Sequence, residues 1–285
     1  MKKIFLFCLI YPLIGVWGAI AQKKALLWEI SGNGLEKPSY LYGTMHLICA
    51  KDFELSEALK QRFASAEQIT LELDMDDPKM MTDMTQAMFM KNGMSLKKLL
   101  SETDYTALER YFKDSVGIGL GMLNNVKPFV LMTMMYKSVL SCPPESYEMT
   151  FVEMAKKQKK EVLGLESVKD QMAIFDEIPY EKQADAVMKI IREEAKADDE
   201  FAKMIALYKA KDIKKMAKLD SESEFEFKGF EDKLLTNRNA NWIERMGALA
   251  RQKSTFFAVG AAHLGGKKGV IMLLKKAGYQ LTPIR

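Results

Sequence analysis

Apolar and polar positions recur along this chain with two periods, and the order in which the periods alternate predicts a fold. Residues 25–44, ALLWEISGNGLEKPSYLYGT, read as two strands around Asn33-Gly34, a dipeptide suited to the tight turn of a β-hairpin. The second strand runs into Gly43 and His46. In ELSEALKQRFASAEQ, Leu55, Leu59 and Phe63 fall four apart, the spacing of one helical face, and QITLELD then alternates apolar Ile69, Leu71 and Leu73 with polar Thr70, Glu72 and Asp74. The order is strand, loop, helix, strand.

The far end repeats that order in a shorter form: STFFAVG as a strand, then His263, GVIMLLKKAG as a helix stopped by Gly278, and YQLTPI as a final strand. Such βαβ units imply parallel neighbouring strands, so the turns carrying His46 and His263 should project from the same carboxyl edge of a sheet, where ligands gather. Between the two units, DPKMMTDMTQAMFM, DYTALERYFKDS, VKPFVLMTMMYKSVL and MTFVEMAKKQKK read as helices. KEVLGLES reads as a short strand, and the chain then turns helical again through residues 180–219. Runs such as KKQKK are solvated faces. No linker rich in Gly, Pro or Ser divides the chain. The expectation is an α/β fold in one domain over residues 22–285, its mixed sheet core made from two βαβ-type halves beneath a large helical cover.

The first residues change the picture of where the protein works. MKKIFLFCLIYPLIGVWGAIAQKK joins two lysines to an apolar stretch and an Ala19-Ile20-Ala21 site, the pattern of a signal peptide over residues 1–21 with the mature chain starting near Gln22. The alternative is an uncleaved anchor, but Pro12, Gly15 and Gly18 interrupt the stretch. No second long apolar run appears, so no stable membrane span is expected after cleavage, and the protein should be exported to the periplasm or beyond. Without Lys2 and Lys3 the formal charge of +4 falls to +2, too near neutral for a nucleic-acid partner. An exported chain keeping Cys49 and Cys142 is expected to bridge them. The alternative use of HLIC, with His46 and Cys49 as metal ligands, lacks a matching second pair.

The chemistry centres on the chain's two histidines, each three residues after a glycine: Gly43-x-x-His46 and Gly260-x-x-His263. A glycine closing a strand permits a positive φ and a sharp turn, which can point the histidine back across the strand ends. Glu72, near the carboxyl end of a strand expected beside the one ending at Gly43, is the candidate third member. Two imidazoles and a carboxylate bind a divalent metal while leaving positions open for water and substrate. The bland readings are core or capping histidines, and a Glu72 on the wet face of its strand. Glu166 in GLES is a further carboxylate at the same edge or a helix-start residue. Arg238 and Asn239 in TNRNANW are donors suited to an oxyanion, or surface residues of a helix. The 21 methionines serve core packing or a greasy substrate groove. GAAHLGGKK fails the phosphate-loop pattern, and no Gly-x-Ser-x-Gly elbow exists.

Together YLYGTMHL, ITLELD, GLES, NRNANW and VGAAHLGGKKGVIMLLKKAGYQL, in this order, resemble the TraB/GumN family, which includes Tiki-like metallopeptidases. The resemblance implies a Tiki/TraB-like α/β fold of two similar halves. His46, Glu72 and His263 match the family's site, and Arg238 and Asn239 fit its Arg-Asn pair. It also implies a manganese- or cobalt-type ion, with zinc equally compatible with such a ligand set. The expected function is therefore an exported, metal-dependent peptidase acting on a peptide or protein. His46 and His263 would hold the ion, and Glu72 would ligate it or serve as general base. The alternative is a non-catalytic binding protein that sequesters a peptide or a haem-like ligand.

Overall fold

A computed structural model of the chain describes residues 24–140, 142–225, 227, 229–230 and 232–285. The signal segment read from residues 1–21 lies outside them. Eight strands stand among the described residues: β1 (Leu27–Gly32), β2 (Ser39–Thr44), β3 (Ile48–Cys49), β4 (Gln68–Leu71), β5 (Pro144–Glu145), β6 (Glu161–Gly164), β7 (Thr255–Gly260) and β8 (Tyr279–Ile284). Six of them make one mixed sheet in the order β6-β4-β7-β2-β1-β8. β7 is parallel to β2 and β4, and β4 is parallel to β6, while β1 runs antiparallel to both β2 and β8. Five strands therefore share a direction, and β1 alone opposes them.

Both expected halves are present. The helix Glu57–Ser65 links β2 to β4, capped by Ser56, whose hydroxyl accepts from the Leu59 amide; it buries Leu59 and Phe63. The helix Val270–Lys276 links β7 to β8 and buries Val270, Ile271 and Leu274. The Asn33-Gly34 turn forms with φ of 47° and 80°, residues 35–38 follow before β2 begins, and β1 also pairs along its length with β8. All residues of β2 and β4 are buried. That is the consequence of a mostly parallel sheet covered on both faces, and polar Thr70 of β4 is accordingly buried and not on a wet face.

The helical cover has its own core. Met90, Leu108, Phe112, Leu131, Met172 and Met188 belong to a cluster separate from the one that lines the sheet. The long polar-apolar run after residue 180 breaks into Tyr180–Arg192, Glu194–Lys209 and Ile213–Glu222. The last break falls where Lys211 adopts a φ of 55° and Asp212 caps the next helix by accepting from the Lys215 amide. Among the described residues no helix is long and apolar enough to cross a membrane.

Cys49 and Cys142 are bridged across 93 residues, and the bridge sits beside the two-strand pairing of β3 with β5. It ties the loop after His46 to the helical cover. Replacing both cysteines by serine is expected to lower the unfolding free energy by about 2–5 kcal/mol. The check is the shift in the urea midpoint relative to the bridged protein, and an unchanged midpoint would refute a constraining role.

Candidate active site

The carboxyl ends of β2, β4, β6 and β7 lie along one edge of the sheet, with Thr44 in register with Gly260 and Leu71 with Gly164. His46 follows β2, Glu72 follows β4, Glu166 lies two residues beyond β6, and His263 closes a short turn of residues 261–263 after β7. The glycines have a reason other than the expected positive φ. Gly43 and Gly260 are both absent from the left-handed region; what they supply is room. A Cβ on Gly43 would stand 2.6 Å from Leu264 Cδ1 and 3.1 Å from Ala261 Cα, so only glycine lets the two histidine turns pack together. A Cβ on Gly260 would meet Glu72 Oε1 at 3.4 Å, His263 Cδ2 at 3.5 Å and His46 Nε2 at 3.6 Å. All three candidate groups thus border one point in space.

Hydrogen-bond partners decide the tautomer of each imidazole. His46 Nδ1 lies 2.9 Å from Glu148 Oε1, and an ionised carboxylate only accepts, so the proton is on Nδ1. His263 Nδ1 lies 2.6 Å from Asn239 Oδ1, while Asn239 Nδ2 donates to the Lys268 carbonyl at 3.1 Å. That carbonyl fixes which way the amide faces and places the second proton on Nδ1 as well. The His263 Nε2 lone pair then accepts from Arg238 Nη1 at 3.3 Å, and behind each ring an oxygen on Nδ1 sets its orientation, as it does for metal-binding histidines. The two rings differ in access: the His46 side chain is 67% exposed and that of His263 6%.

Arg238 closes the back of the site. Its Nη2 donates to Glu72 Oε2 at 2.5 Å and to Glu166 Oε1 at 2.6 Å, and its Nε donates to Glu166 at 3.0 Å. Nη1 donates to the Leu234 carbonyl and lies 3.3 Å from His263 Nε2. Glu72 Oε1 accepts the Gly260 amide at 2.8 Å. Glu166 also accepts from Gln171 and from Trp242 Nε1, and the Trp242 ring lies under both Arg238 and His263. Glu166 and Asn239 are saturated by protein partners, and they position Arg238 and His263.

The electrostatics follow from these contacts. Burial alone would raise the Glu72 carboxyl, but His263, Arg238, His46 and the Gly260 amide outweigh it and hold the group well below the usual carboxylate range. Burial pushes the His263 imidazole down to about 3, against the Glu72 charge, so the ring is neutral. Partial desolvation by its neighbours opposes a charged His46 although the ring reaches solvent, yet the hydrogen bond and charge of Glu148, with Glu72, raise it to about 9. Counting Glu72, Glu148 and Glu166 against the single guanidinium of Arg238, the site carries excess negative charge, which the proton on His46 partly offsets.

The donor set fits a divalent ion in chemistry once His46 gives up its second proton: two imidazole Nε2 atoms, an ionised carboxylate and surplus negative charge. Glu72 Oε1 and His263 Nε2 are 3.7 Å apart, and among the described residues no three acidic, thiol or imidazole side chains already stand in coordination geometry. A cavity of ≈ 430 Å³ opens onto this edge, bordered by Thr44–Leu47 and Gly260–His263 and walled by the helices Pro128–Val139, Glu194–Lys209 and Ile213–Glu222. Of the methionines singled out in the sequence, Met132 and Met135 face this cavity, while Met80, Met84, Met88 and Met134 pack against the core of the cover.

The sequence profile of the TraB/PrgY/gumN family matches residues 26–283. The chain belongs to this family. Among curated relatives of this TraB/PrgY/gumN member, Metalloprotease TIKI2 of Danio rerio is 22% identical over 320 residues, covering 92% of this chain and 62% of its own length. Metalloprotease TIKI1 of Danio rerio is 21% identical over 313 residues, with coverage of 90% and 63%. The chain therefore spans about three-fifths of the length of the curated relatives it matches. No solved structure matches it significantly.

Glu148 is the site residue that the sequence analysis missed. It accepts from His46 Nδ1, from Thr44 Oγ1 at 2.6 Å and from Ser146 Oγ at 3.0 Å. In SYEMT it looks like an ordinary acid in the first turn of a helix, and Ser146 does cap the helix Tyr147–Gln158. The available signal was the disulfide. A bridge from Cys49 to Cys142 brings the residues just after Cys142 next to the loop that carries His46.

Proposed function

We propose that this chain is a metal-dependent hydrolase of peptide bonds, exported to the periplasm or cell exterior. The observation that carries the reading is the convergence beside Gly260 of the His46 Nε2, the edge of the His263 ring and the ionised Glu72 carboxylate, each imidazole held from behind by an oxygen. The names of the TIKI relatives support the reaction class, and the Cys49–Cys142 bridge supports an oxidising compartment.

His46, His263 and Glu72 are the residues that would hold a manganese, cobalt or zinc ion. When bound, such an ion supplies Lewis acidity toward a carbonyl oxygen and makes water more acidic. Of the two roles open to Glu72, ligand is favoured over general base. A carboxylate gripped by Arg238 and the Gly260 amide is too weak a base to draw a proton from water efficiently. Arg238 keeps Glu72 ionised and aimed, and Glu166 with Trp242 keeps Arg238 in place. Glu148 and Asn239 hold the two rings so that each Nε2 faces the cavity edge. His46, the exposed member, stands where a substrate carbonyl entering along the cavity arrives first.

The test is peptide turnover by purified protein before and after chelation, with manganese, cobalt or zinc restored singly. Chelation is expected to abolish turnover and one of the ions to restore it, while Glu72→Gln still unfolds cooperatively, at a lowered midpoint because Arg238 has lost one carboxylate, and loses at least about 100-fold in rate. Turnover indifferent to both chelation and Glu72→Gln would refute the reading. Peptide binding without turnover in any ion would establish the sequestering alternative.

A further inference from the structure

The cavity beside the histidines has a definite chemical character. Met132 and Met135 face it from one helix, Met204 from a second and Met216 from a third. The rings of Tyr136 and Phe201 stack across two of these walls with centroids 5.9 Å apart. Its polar wall is small, and there the Ser223 hydroxyl donates to Glu200. His46, Gly260 and His263 line the same cavity.

We infer that this cavity is the specificity pocket for one bulky apolar side chain of a peptide substrate, methionine, leucine or phenylalanine, immediately beside the bond that is cleaved. The inference rests on the peptide-hydrolase reading for its substrate class. Continuity supports it, since both imidazoles line the pocket, so the group that flanks a carbonyl held at them lies within its reach. Size supports it, because ≈ 430 Å³ lies in the lower part of the range of about 300–1,000 Å³ that accepts small ligands. That is room for a side chain with its adjoining backbone and too little for a folded segment. The wall chemistry sets the breadth of selection. Unbranched thioethers repack around differently shaped apolar groups, so the pocket separates apolar from polar side chains strongly and distinguishes among apolar ones weakly.

The experiment titrates Glu72→Gln protein, which does not turn substrate over on the proposed reading, with blocked peptides acetyl-Gly-Gly-Xaa-Gly-Gly-amide and reads Kd by calorimetry. The Met, Leu and Phe peptides are expected to bind within about fivefold of one another and about 10- to 100-fold tighter than the Ala, Asp and Lys peptides. Ala197→Phe, introduced into the Glu72→Gln protein, fills the pocket from a partly exposed wall position. It is expected to weaken the Phe peptide about tenfold and leave the Ala peptide unchanged. If Ala197→Phe fails to fold by its thermal melt, Phe201→Ala in the same background is read instead, with the opposite change of pocket volume and a selective shift in the Phe peptide as the expected result. Equal Kd for all six peptides, no binding of the apolar three, or a preference untouched by the folded variant overturns the inference. Apolar preference with no turnover by the unmutated protein in any ion removes the hydrolase reading and keeps the pocket. Turnover without apolar preference does the reverse.

Discussion

Gly260→Ala is expected to leave the fold intact and remove the function. Gly260 has φ −50° and ψ 134°, a backbone conformation that alanine adopts without strain, and the added methyl meets its neighbours at 3.4–3.6 Å, ordinary contact distances. The unfolding free energy should therefore change by less than about 1 kcal/mol. The same methyl stands between Glu72 Oε1, His263 and His46 Nε2. Ligands to an ion must approach a common centre to about 2.0–2.2 Å, and a carbon atom bordering all three groups prevents them from closing. Ion affinity by calorimetry and peptide turnover should each fall at least about 100-fold, the scale of loss that follows from misplacement by about 1 Å. A variant that keeps its ion affinity and rate would show that ion and substrate meet elsewhere.

The second large effect is on stability. Arg238 faces Glu72 and Glu166 with about a tenth of each side chain exposed. Arg238→Met in metal-free protein leaves two nearly buried carboxylates without their cation and is expected to cost about 3–5 kcal/mol at pH 7. The dependence on pH separates charge from packing. In the unmutated protein Glu72 is held below its unfolded value, so its contribution is complete above about pH 4.3 and is lost as the pH falls toward the folded value. In the variant the carboxyls rise above that value, so their penalty grows with pH and disappears once they are protonated. The stability gap between the two proteins should thus narrow from pH 7 to pH 4 in parallel denaturant titrations. A gap of equal size at both would place the loss in the packing of the arginine on Trp242. Arg238→Lys is expected to recover little, because the fork that donates to two carboxylates at once is a property of the guanidinium.

The alternating and four-spaced patterns made the sheet edge legible. Leu59 and Phe63 are buried where helical spacing put them, and β2, β4 and β7 end together as the βαβ reading required. The pairing of Cys49 with Cys142 followed from compartment and count. The reason for the glycines did not follow. At Gly43 and Gly260 the sequence reads as a need for positive φ, whereas at Gly43 the constraint is the turn of Ala261 and Leu264, which leaves no space for a side chain, and at Gly260 it is the three site groups that a methyl would border. Crowding of that kind has no local signature.

Glu148 shows the same limit in the site itself. Its partner His46 is 102 residues away, and a glutamate in the first turn of a helix is common for purely local reasons. Asn239 and Arg238 were visible as candidates, but which of their atoms were already spoken for depended on Lys268, Glu166 and Trp242. From the sequence alone came the alternation of elements, the sheet edge, the covalent bridge and the residue types at the strand ends, because each depends on the periodicity of one segment or on the chemistry of one side chain. Only the tertiary structure decided which nitrogen of each imidazole is held from behind, which carboxylate stays ionised and which residues line the apolar groove. Those are properties of contacts between separate segments, from 24 residues apart for His263 and Asn239 to 188 for Gly260 and Glu72, and their energies exist only once the chain has closed around them.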